Sequence, residues 1–286
     1  MISIVGIGSG GSAIAAKFKE IKQYDVYELN DSVKKNSKGE YRLLNHDSPE
    51  EYEKNIPNLT KFFKNLKDTV QVFVVGTSYS SNYALGILEQ MKSKKIDLFY
   101  IKPDVELLTG ERRLLENMVF GVLQQYARSG LLNSFTVFSN LELERNLGEV
   151  PIKGYYDTLN SSIFSAVHYL NYFVHSEPEI GQVAKPAEIN RIRSIGALDM
   201  KNLQEKWFFQ LDYERDLCYY LCINEKRLSE EGTLHRKLVD LLKKKPTNAF
   251  RKISYAIYET PYDDFGYVVA HTNTIQQNTL DKVEQE

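Results

Sequence analysis

Near the amino terminus, Gly6-Ile7-Gly8-Ser9-Gly10-Gly11 has the residue types and spacing to hold a phosphate. It follows the apolar run Ile2–Ile7 and leads into a helical stretch over Gly11–Ile21. Glycine lets backbone N–H groups approach an anion closely, and a helix start adds unsatisfied donors and partial positive charge. The predicted cradle is Gly8, Ser9, Gly10, Gly11 and Ser12. A dinucleotide there wants an acid closing the second strand roughly 20 residues on, and Glu28 fits that place. A mononucleotide needs a second phosphate loop instead. A plain tight strand–helix turn needs no ligand at all.

A second loop is available. Gly76-Thr77-Ser78-Tyr79-Ser80-Ser81-Asn82 follows the apolar run Thr69–Val75 and precedes a helix predicted over Ser81–Lys92. The hydroxyls of Thr77, Ser78, Ser80 and Ser81, with helix-start amides, suit phosphate. Ser80, Ser81 and Asn82 are equally the residue types that cap a helix. Arg112 and Arg113 stand near the start of a helix predicted over Thr109–Ser129, where arginines are commonly a solvated face. Asn160 stands early in another, Tyr155–His175, where asparagine commonly forms a cap or polar patch. No metal site is expected. Cys218 and Cys222 lie four apart in a predicted strand with no other ligand types nearby, and two free thiols fit a reducing compartment.

The elements that must position these residues alternate. Strands are predicted at Ile2–Ile7, Asp25–Leu29, Thr69–Val75, Asp97–Ile101 and Ser134–Ser139, with helices between them. One helix starts at Ser48-Pro49-Glu50-Glu51 and is expected to run to Leu66. Such alternation predicts an α/β fold: a Rossmann-like, parallel, doubly wound sheet over residues 1–154. Residues 155–176 form a central helix, apolar nearly all round and therefore expected to be buried on nearly all sides. Residues 177–206 read as a connecting loop leading to a short helix. A smaller mixed α+β subdomain over 207–275 follows. It has strands at Trp207–Leu211 and Leu217–Asn224, a helix at Thr233–Lys244, and a strand pair, Lys252–Glu259 with Tyr267–His271, joined by the turn Pro261–Gly266. Residues 276–286 read as a frayed polar tail.

The chain has 286 residues, 42% hydrophobic and 26% charged, which is ordinary for a globular protein. A formal net charge of -2 gives no support for nucleic acid or an anionic membrane as partner. The opening apolar run is too short, and lacks the basic lead, for a signal peptide or membrane span, so a cytoplasmic location is expected.

Taken in order, these pieces resemble the tubulin/FtsZ family. That family opens with a strand and a GGxGxG-like loop and carries a second loop, GGGTGTG, which aligns with Gly76–Asn82. Ile101-Lys102-Pro103 followed by Gly110-Glu111-Arg112-Arg113 resembles its "TKP … EGKKR". Ser139-Asn140 through Leu147-Gly148 resembles "PNDKLLKVLG", and Asn160 falls where the family places a guanine-contacting asparagine. The resemblance covers nearly the whole chain. It implies a cytoskeletal protein that binds GTP or GDP (with Mg2+ as the companion cation) and assembles head-to-tail with itself into filaments. Gly8–Ser12 would line the phosphates and base side, and Gly76, Thr77, Ser78, Ser80 and Ser81 would form the second phosphate loop. Arg113 would reach the ribose or terminal phosphate, and Asn160 the base.

The departures bear on turnover. The family's loop after the central helix enters the next subunit's site with an NxDxAD-like pattern that polarises water. Here the matching stretch runs from Pro186 to Ile195. It keeps Asn190 but has Ile192 and Ile195 at the acidic positions. Isoleucine neither orients nor deprotonates water, so GTP hydrolysis is expected to be weak or absent. Asn190, Glu188 and Asp199 are the residual catalytic candidates. Arg191 and Arg193 read either as a clamp on a neighbour or as a solvated basic loop. Tyr79 puts a bulky side chain where backbone should approach phosphate, with a β-carbon that penalises positive φ. Two alternatives follow: a nucleotide-free scaffold that binds an unidentified protein, its phosphate loops vestigial, and a Rossmann-type NAD(P) protein using Glu28.

Overall fold

The computed structural model describes residues 1–246 and 251–277. The chain begins with β1 (Ile2–Ile7), α1 (Gly8–Ala16), β2 (Tyr24–Asn30), β3 (Glu40–Arg42) and α2 (Pro49–Lys54). There follow β4 (Thr69–Val75), α3 (Ala84–Glu89), β5 (Lys95–Lys102), α4 (Gly110–Ser129), β6 (Ser134–Ser139), α5 (Asn140–Leu147) and α6 (Tyr155–Phe173). The remainder is β7 (Ile180–Gln182), β8 (Ile192–Asp199), β9 (Gln204–Trp207), β10 (Asp216–Asn224), α7 (Glu225–Glu230), α8 (Leu234–Lys243), β11 (Lys252–Thr260) and β12 (Phe265–Thr272).

The described strands form one sheet of twelve, ordered β3-β2-β1-β4-β5-β6-β8-β12-β10-β11-β7, with β9 beside β8. Neighbours from β3 through β6 to β8 are all parallel. Helices cover both faces, which explains why β1, β4 and β6 are buried along nearly their whole length rather than at alternate residues. On one face, Ile14 and Phe18 of the α1 region and Leu159, Ile163 and Val167 of α6 pack on Phe73, Phe99, Phe138 and Ile195. On the other, α3, α4 and α8 contribute Ile87, Phe120, Leu123, Leu238 and Leu242 against Val72, Tyr100, Phe135 and Tyr219.

Several details differ from the sequence reading. The helix from Pro49 stops at Lys54 rather than Leu66, because Pro57 lacks the N–H a helix needs and restricts the residue before it. The segment 176–200 is not a loop leading to a helix. It contains edge strand β7 and the central strand β8, which pairs with β6 on one side and β12 on the other. The expected β11–β12 pair does not form. β10 lies between them, parallel to β11 and antiparallel to β12. The strand expected at Trp207–Leu211 sits earlier, at Gln204–Trp207.

Helix α6 buries a stripe (Leu159, Ile163, Ala166, Val167, Phe173) and leaves Tyr156 and Tyr172 exposed, so it lies on the sheet rather than within a core. The polar tail is pinned at its first residue. Gln276 is buried, its N–H donating to Gln124 Oε1 at 2.6 Å while its own Oε1 accepts from Asp212 N at 2.7 Å. Residues 278–286 lie outside the described part.

Candidate functional site

The glycine turns follow the carboxyl ends of adjacent parallel strands: Ile7, closing β1, is in register with Val74 of β4. Helix α1 starts at Gly8 itself, three residues before the expected Gly11, so Gly8–Gly11 is the helix's first turn. Its first N–H groups therefore lack helical acceptors and gather at the strand end. Gly8 has φ +77, the left-handed region that favours glycine. Gly6 and Gly11 are required by packing. A Cβ on Gly6 would lie 2.5 Å from Gly11 O, and one on Gly11 would lie 2.3 Å from Phe73 O. Ser12 is buried, with its hydroxyl donating to Gly6 O at 3.3 Å. Exposed Ser9 and half-buried Gly10 are the parts of the turn that face outward.

The second turn begins at Gly76, whose N–H donates to Ile101 O at 3.0 Å. The strained position is Thr77, at φ +57, rather than Tyr79, which opens a 3-10 turn over Tyr79–Tyr83. A β-branched residue in the left-handed region is costly and marks a place where surrounding structure imposes the backbone. Ser78 caps that turn. Its Oγ donates to Val75 O at 3.1 Å and accepts from Ser81 N at 3.2 Å. Ser81 is buried and donates to Ser78 O at 2.6 Å. The Ser78 and Ser81 hydroxyls thus bond within the turn. The side chains of Tyr79 and Ser80 lie outside the described part.

Directly beneath Gly76 is a buried polar pair that the sequence reading missed. Tyr100 Oη of β5 donates to Glu116 Oε2 of α4 at 2.6 Å, and Glu116 Oε1 is buried without a hydrogen bond. Burial raises the Glu116 carboxyl above its usual range, against the opposing pull of Tyr100 and Lys102. Burial, then Glu116, pushes the Tyr100 phenol well up. A Cβ on Gly76 would lie 2.4 Å from both Glu116 Oε2 and Tyr100 Oη, so glycine there makes room for the pair. Lys102, closing β5, holds its ammonium 4.5 Å from the Phe120 ring centre. The signal for Glu116 was periodic: it shares the buried α4 stripe with Phe120, Leu123 and Ala127. Arg113 is half-buried one turn earlier on α4, and Asn160 is half-buried on the second turn of α6.

Glu28 lies on β2 beside Gly6, and the Lys19 ammonium sits 2.6 Å from its carboxylate. Its hydrogen bond to Glu28 raises the Lys19 pKa. The acid a dinucleotide reading needs is thus already in an ion pair.

The stretch expected to form a hydrolytic loop is a loop only in its first part: residues 186–191 precede β8, with Ala187, Glu188 and Ile189 exposed, and the rest is built into the sheet. Ile192 and Ile195 are buried in β8. Asn190 is buried too, donating to Asp216 Oδ2 at 2.7 Å. Arg191 donates to Leu132 O and Asn133 O at 3.4 and 3.3 Å, and Arg193 to Thr136 Oγ1 at 2.5 Å, so neither is a solvated loop charge. Asp199 accepts from Lys201 N at 2.9 Å in the turn after β8. Of the three catalytic candidates only Glu188 is exposed, its carboxylate 3.6 Å from Lys185 Nζ. The structure thus does not bring Asn190, Glu188 and Asp199 together. No group of three or more His, Cys, Asp or Glu suited to a metal occurs among the described residues. No helix among them is long and apolar enough to cross a membrane.

Comparison by sequence finds no matching family model and no matching curated protein. Comparison by structure does find likenesses. A GTPγS-form protofilament of TubZ from Bacillus thuringiensis serovar israelensis superposes with a TM-score of 0.70 at 10% identity, covering 100% of this chain and 90% of that one. CetZ from Methanosaeta thermophila gives 0.66 at 12% identity, covering 99% and 88%. An empty FtsZ dimer from M. jannaschii gives 0.64 at 14% identity, covering 95% and 87%. With its parallel sheet, its two strand-end turns and these likenesses, the chain has the tubulin/FtsZ fold.

Proposed function

We propose that this chain binds a guanine nucleotide between its two glycine turns and assembles head-to-tail with copies of itself into filaments, with little or no hydrolysis. The observation that carries the reading is the juxtaposition of Gly8–Ser12 and Gly76–Ser81 at neighbouring parallel strand ends, in a fold shared with a TubZ protofilament in its GTPγS form. The first turn fits a phosphate: it offers unsatisfied helix-start amides, and its outward residues are the small Ser9 and Gly10. Arg113 and Asn160, both half-buried, would take ribose or terminal phosphate and base. A heterologous contact repeated along one axis gives open polymers rather than closed rings of fixed size. Bound GTP would supply the reactive phosphoanhydride and bring Mg2+ on its phosphates. The positions where the resemblance puts the water-orienting acids supply none, since Ile192 and Ile195 are buried isoleucines and Asn190 is bonded to Asp216.

A second reading, a nucleotide-free scaffold of the same fold, has its own support. Ser78 and Ser81 bond within the second turn, and Thr77 holds the left-handed position where glycine would be unstrained.

Equilibrium binding of GTP, GDP and NAD, paired with sedimentation, separates the readings. Saturable GTP binding with pelleting is the expected result. Polymer without nucleotide selects the scaffold, and binding of NAD alone overturns both. The confirming variant is Ser9→Asp, which sets a like charge against phosphate from an exposed position. Gly10 is unsuited, because a Cβ there would lie 2.7 Å from Val75 Cγ2 and disturb packing whether or not a ligand binds.

A further inference from the structure

A cavity of about 580 Å³ opens on the α6 face of the sheet, at the opposite end of the strands from the glycine turns. Its floor includes Gln71 and Asp97 near the amino ends of β4 and β5, and Arg193 and His271 from β8 and β12. Its roof is the last turn of α6 and the chain from Val174 to Pro186 that passes through edge strand β7.

Arg193 is the unusual member. It is half-buried, in register with Thr136 of β6 on one side and His271 of β12 on the other. Its Nε donates to Thr136 Oγ1, and its guanidinium carbon lies 5.6 Å from the Phe99 ring centre. No carboxylate among the described residues comes within 4.0 Å of it, and its Nη1 and Nη2 groups make no hydrogen bond to those residues. A half-buried guanidinium with free donors calls for an anion, because charge taken from water needs a compensating partner.

The other charges nearby leave that role open. Asp97 is held by Asn133 Nδ2 and Ser134 Oγ, both at 2.6 Å. Asp216 accepts from Asn190 Nδ2 and Ala187 N. Lys185 faces Glu188. His271 is kept neutral by burial and by Arg193, its pKa lowered to about 3, and burial raises the Cys218 thiol to about 11. Beside Arg193 the wall turns apolar, with Leu170, Phe173 and Tyr220.

We infer that this cavity binds a small organic acid, its carboxylate on Arg193 and its apolar body against Leu170, Phe173 and Tyr220. The arrangement is a usual one for a small-molecule site: an apolar wall beside a charged group whose donors are left open, while the lining Asp97 and Lys185 are already engaged by Asn133, Ser134 and Glu188.

The test is titration calorimetry on the full chain with 4-phenylbutyrate, with 4-phenylbutyramide and inorganic phosphate at matched ionic strength as controls. Saturable binding of the acid is expected, with the amide and phosphate weaker by about tenfold or more. Arg193→Met should weaken the acid by about tenfold and bring it level with the amide. Val183→Trp fills the roof while leaving Arg193 in place, and should abolish binding of acid and amide alike. The inference is overturned by absence of saturable acid binding up to millimolar concentration, by equal affinity for acid and amide, or by phosphate binding as tightly as the acid. Undiminished binding in either folded variant also overturns it. Circular dichroism establishes that each variant is folded; should Arg193→Met not fold, Val183→Trp and the acid–amide comparison decide the matter.

Discussion

Two glycine-to-alanine changes on helices should move stability in opposite directions, and the structure says by how much. In α1, a Cβ on Gly11 would stand 2.3 Å from Phe73 O and 3.1 Å from Phe73 C. Both are backbone atoms in the middle of β4, so relief requires helix and strand to separate. Overpacking of this kind costs about 3 kcal/mol. Alanine's better helix propensity returns about 1 kcal/mol, leaving a net loss of about 2 kcal/mol. In α4, Gly121 is also helical, but a Cβ there meets nothing within 4 Å beyond its own helix. Only the propensity gain remains, about 1 kcal/mol. At about 2–4 °C per kcal/mol for a chain of this size, Gly11→Ala should lower Tm by about 4–8 °C and Gly121→Ala should raise it by about 2–4 °C. Thermal melts followed by circular dichroism, without added nucleotide, read both. If Gly11→Ala melts at or above the wild-type temperature, the glycine is not a packing requirement and the close approach of α1 to β4 is wrong.

Three further outcomes follow from buried polar groups. Burial raises the Glu116 carboxyl above its ordinary 4.5, so this group favours the fold below that value, and the contribution is lost as pH rises through its folded value. Glu116→Gln should therefore stabilise the protein most at alkaline pH and least near pH 4, as read by denaturant melts across pH; a uniform loss at every pH contradicts the assignment. His271 has the reverse sign, its pKa lowered from 6.5 to about 3 by burial and Arg193. Its contribution is full above 6.5 and falls by about 1.4 kcal/mol per pH unit towards 3, a slope that His271→Gln should remove from the acid limb of the stability profile. Asn190→Ala strips one donor from Asp216 and should cost about 1–3 kcal/mol in urea melts. Any GTP turnover should stay at the wild-type rate in that variant, and a selective loss of turnover would return Asn190 to a catalytic role.

The half of the fold built from parallel strands is readable because such strands, covered on both faces, announce themselves as unbroken apolar runs. Thr69–Val75, apolar but for Thr69 and Gln71, has the expected bounds for that reason, and Ser134–Ser139 keeps its bounds with Phe135, Val137 and Phe138 set among serine and threonine. The other half hides its topology. The turn Pro261–Gly266 looks like a hairpin between two strands of suitable length, yet β10, remote in sequence, takes the place between them. Local pattern reports that a strand exists, not which neighbour it finds. β8 was obscured differently: Asn190-Arg191-Ile192-Arg193 reads as a polar loop because the contacts that draw Arg191 and the Arg193 Nε into the fold come only from β6 and the residues just before it. At the site, the glycine turns are legible. The Tyr100–Glu116 pair beneath Gly76 is not, because a carboxylate on an apolar helix stripe has no meaning until its partner strand is known.

The two ends of the sheet set a limit on how copies can join. Each outermost strand, β3 and β7, is only three residues long, and β7 carries Gly181 at φ +80. An outer row of main-chain donors and acceptors that short is a poor template for a further strand. Fusion of sheets edge to edge, the route to irreversible cross-β aggregates, is thereby discouraged in a sheet of twelve described strands. The proposed head-to-tail assembly would then use the surfaces at the strand ends and the helical faces, where contacts are made by side chains rather than by main-chain ladders.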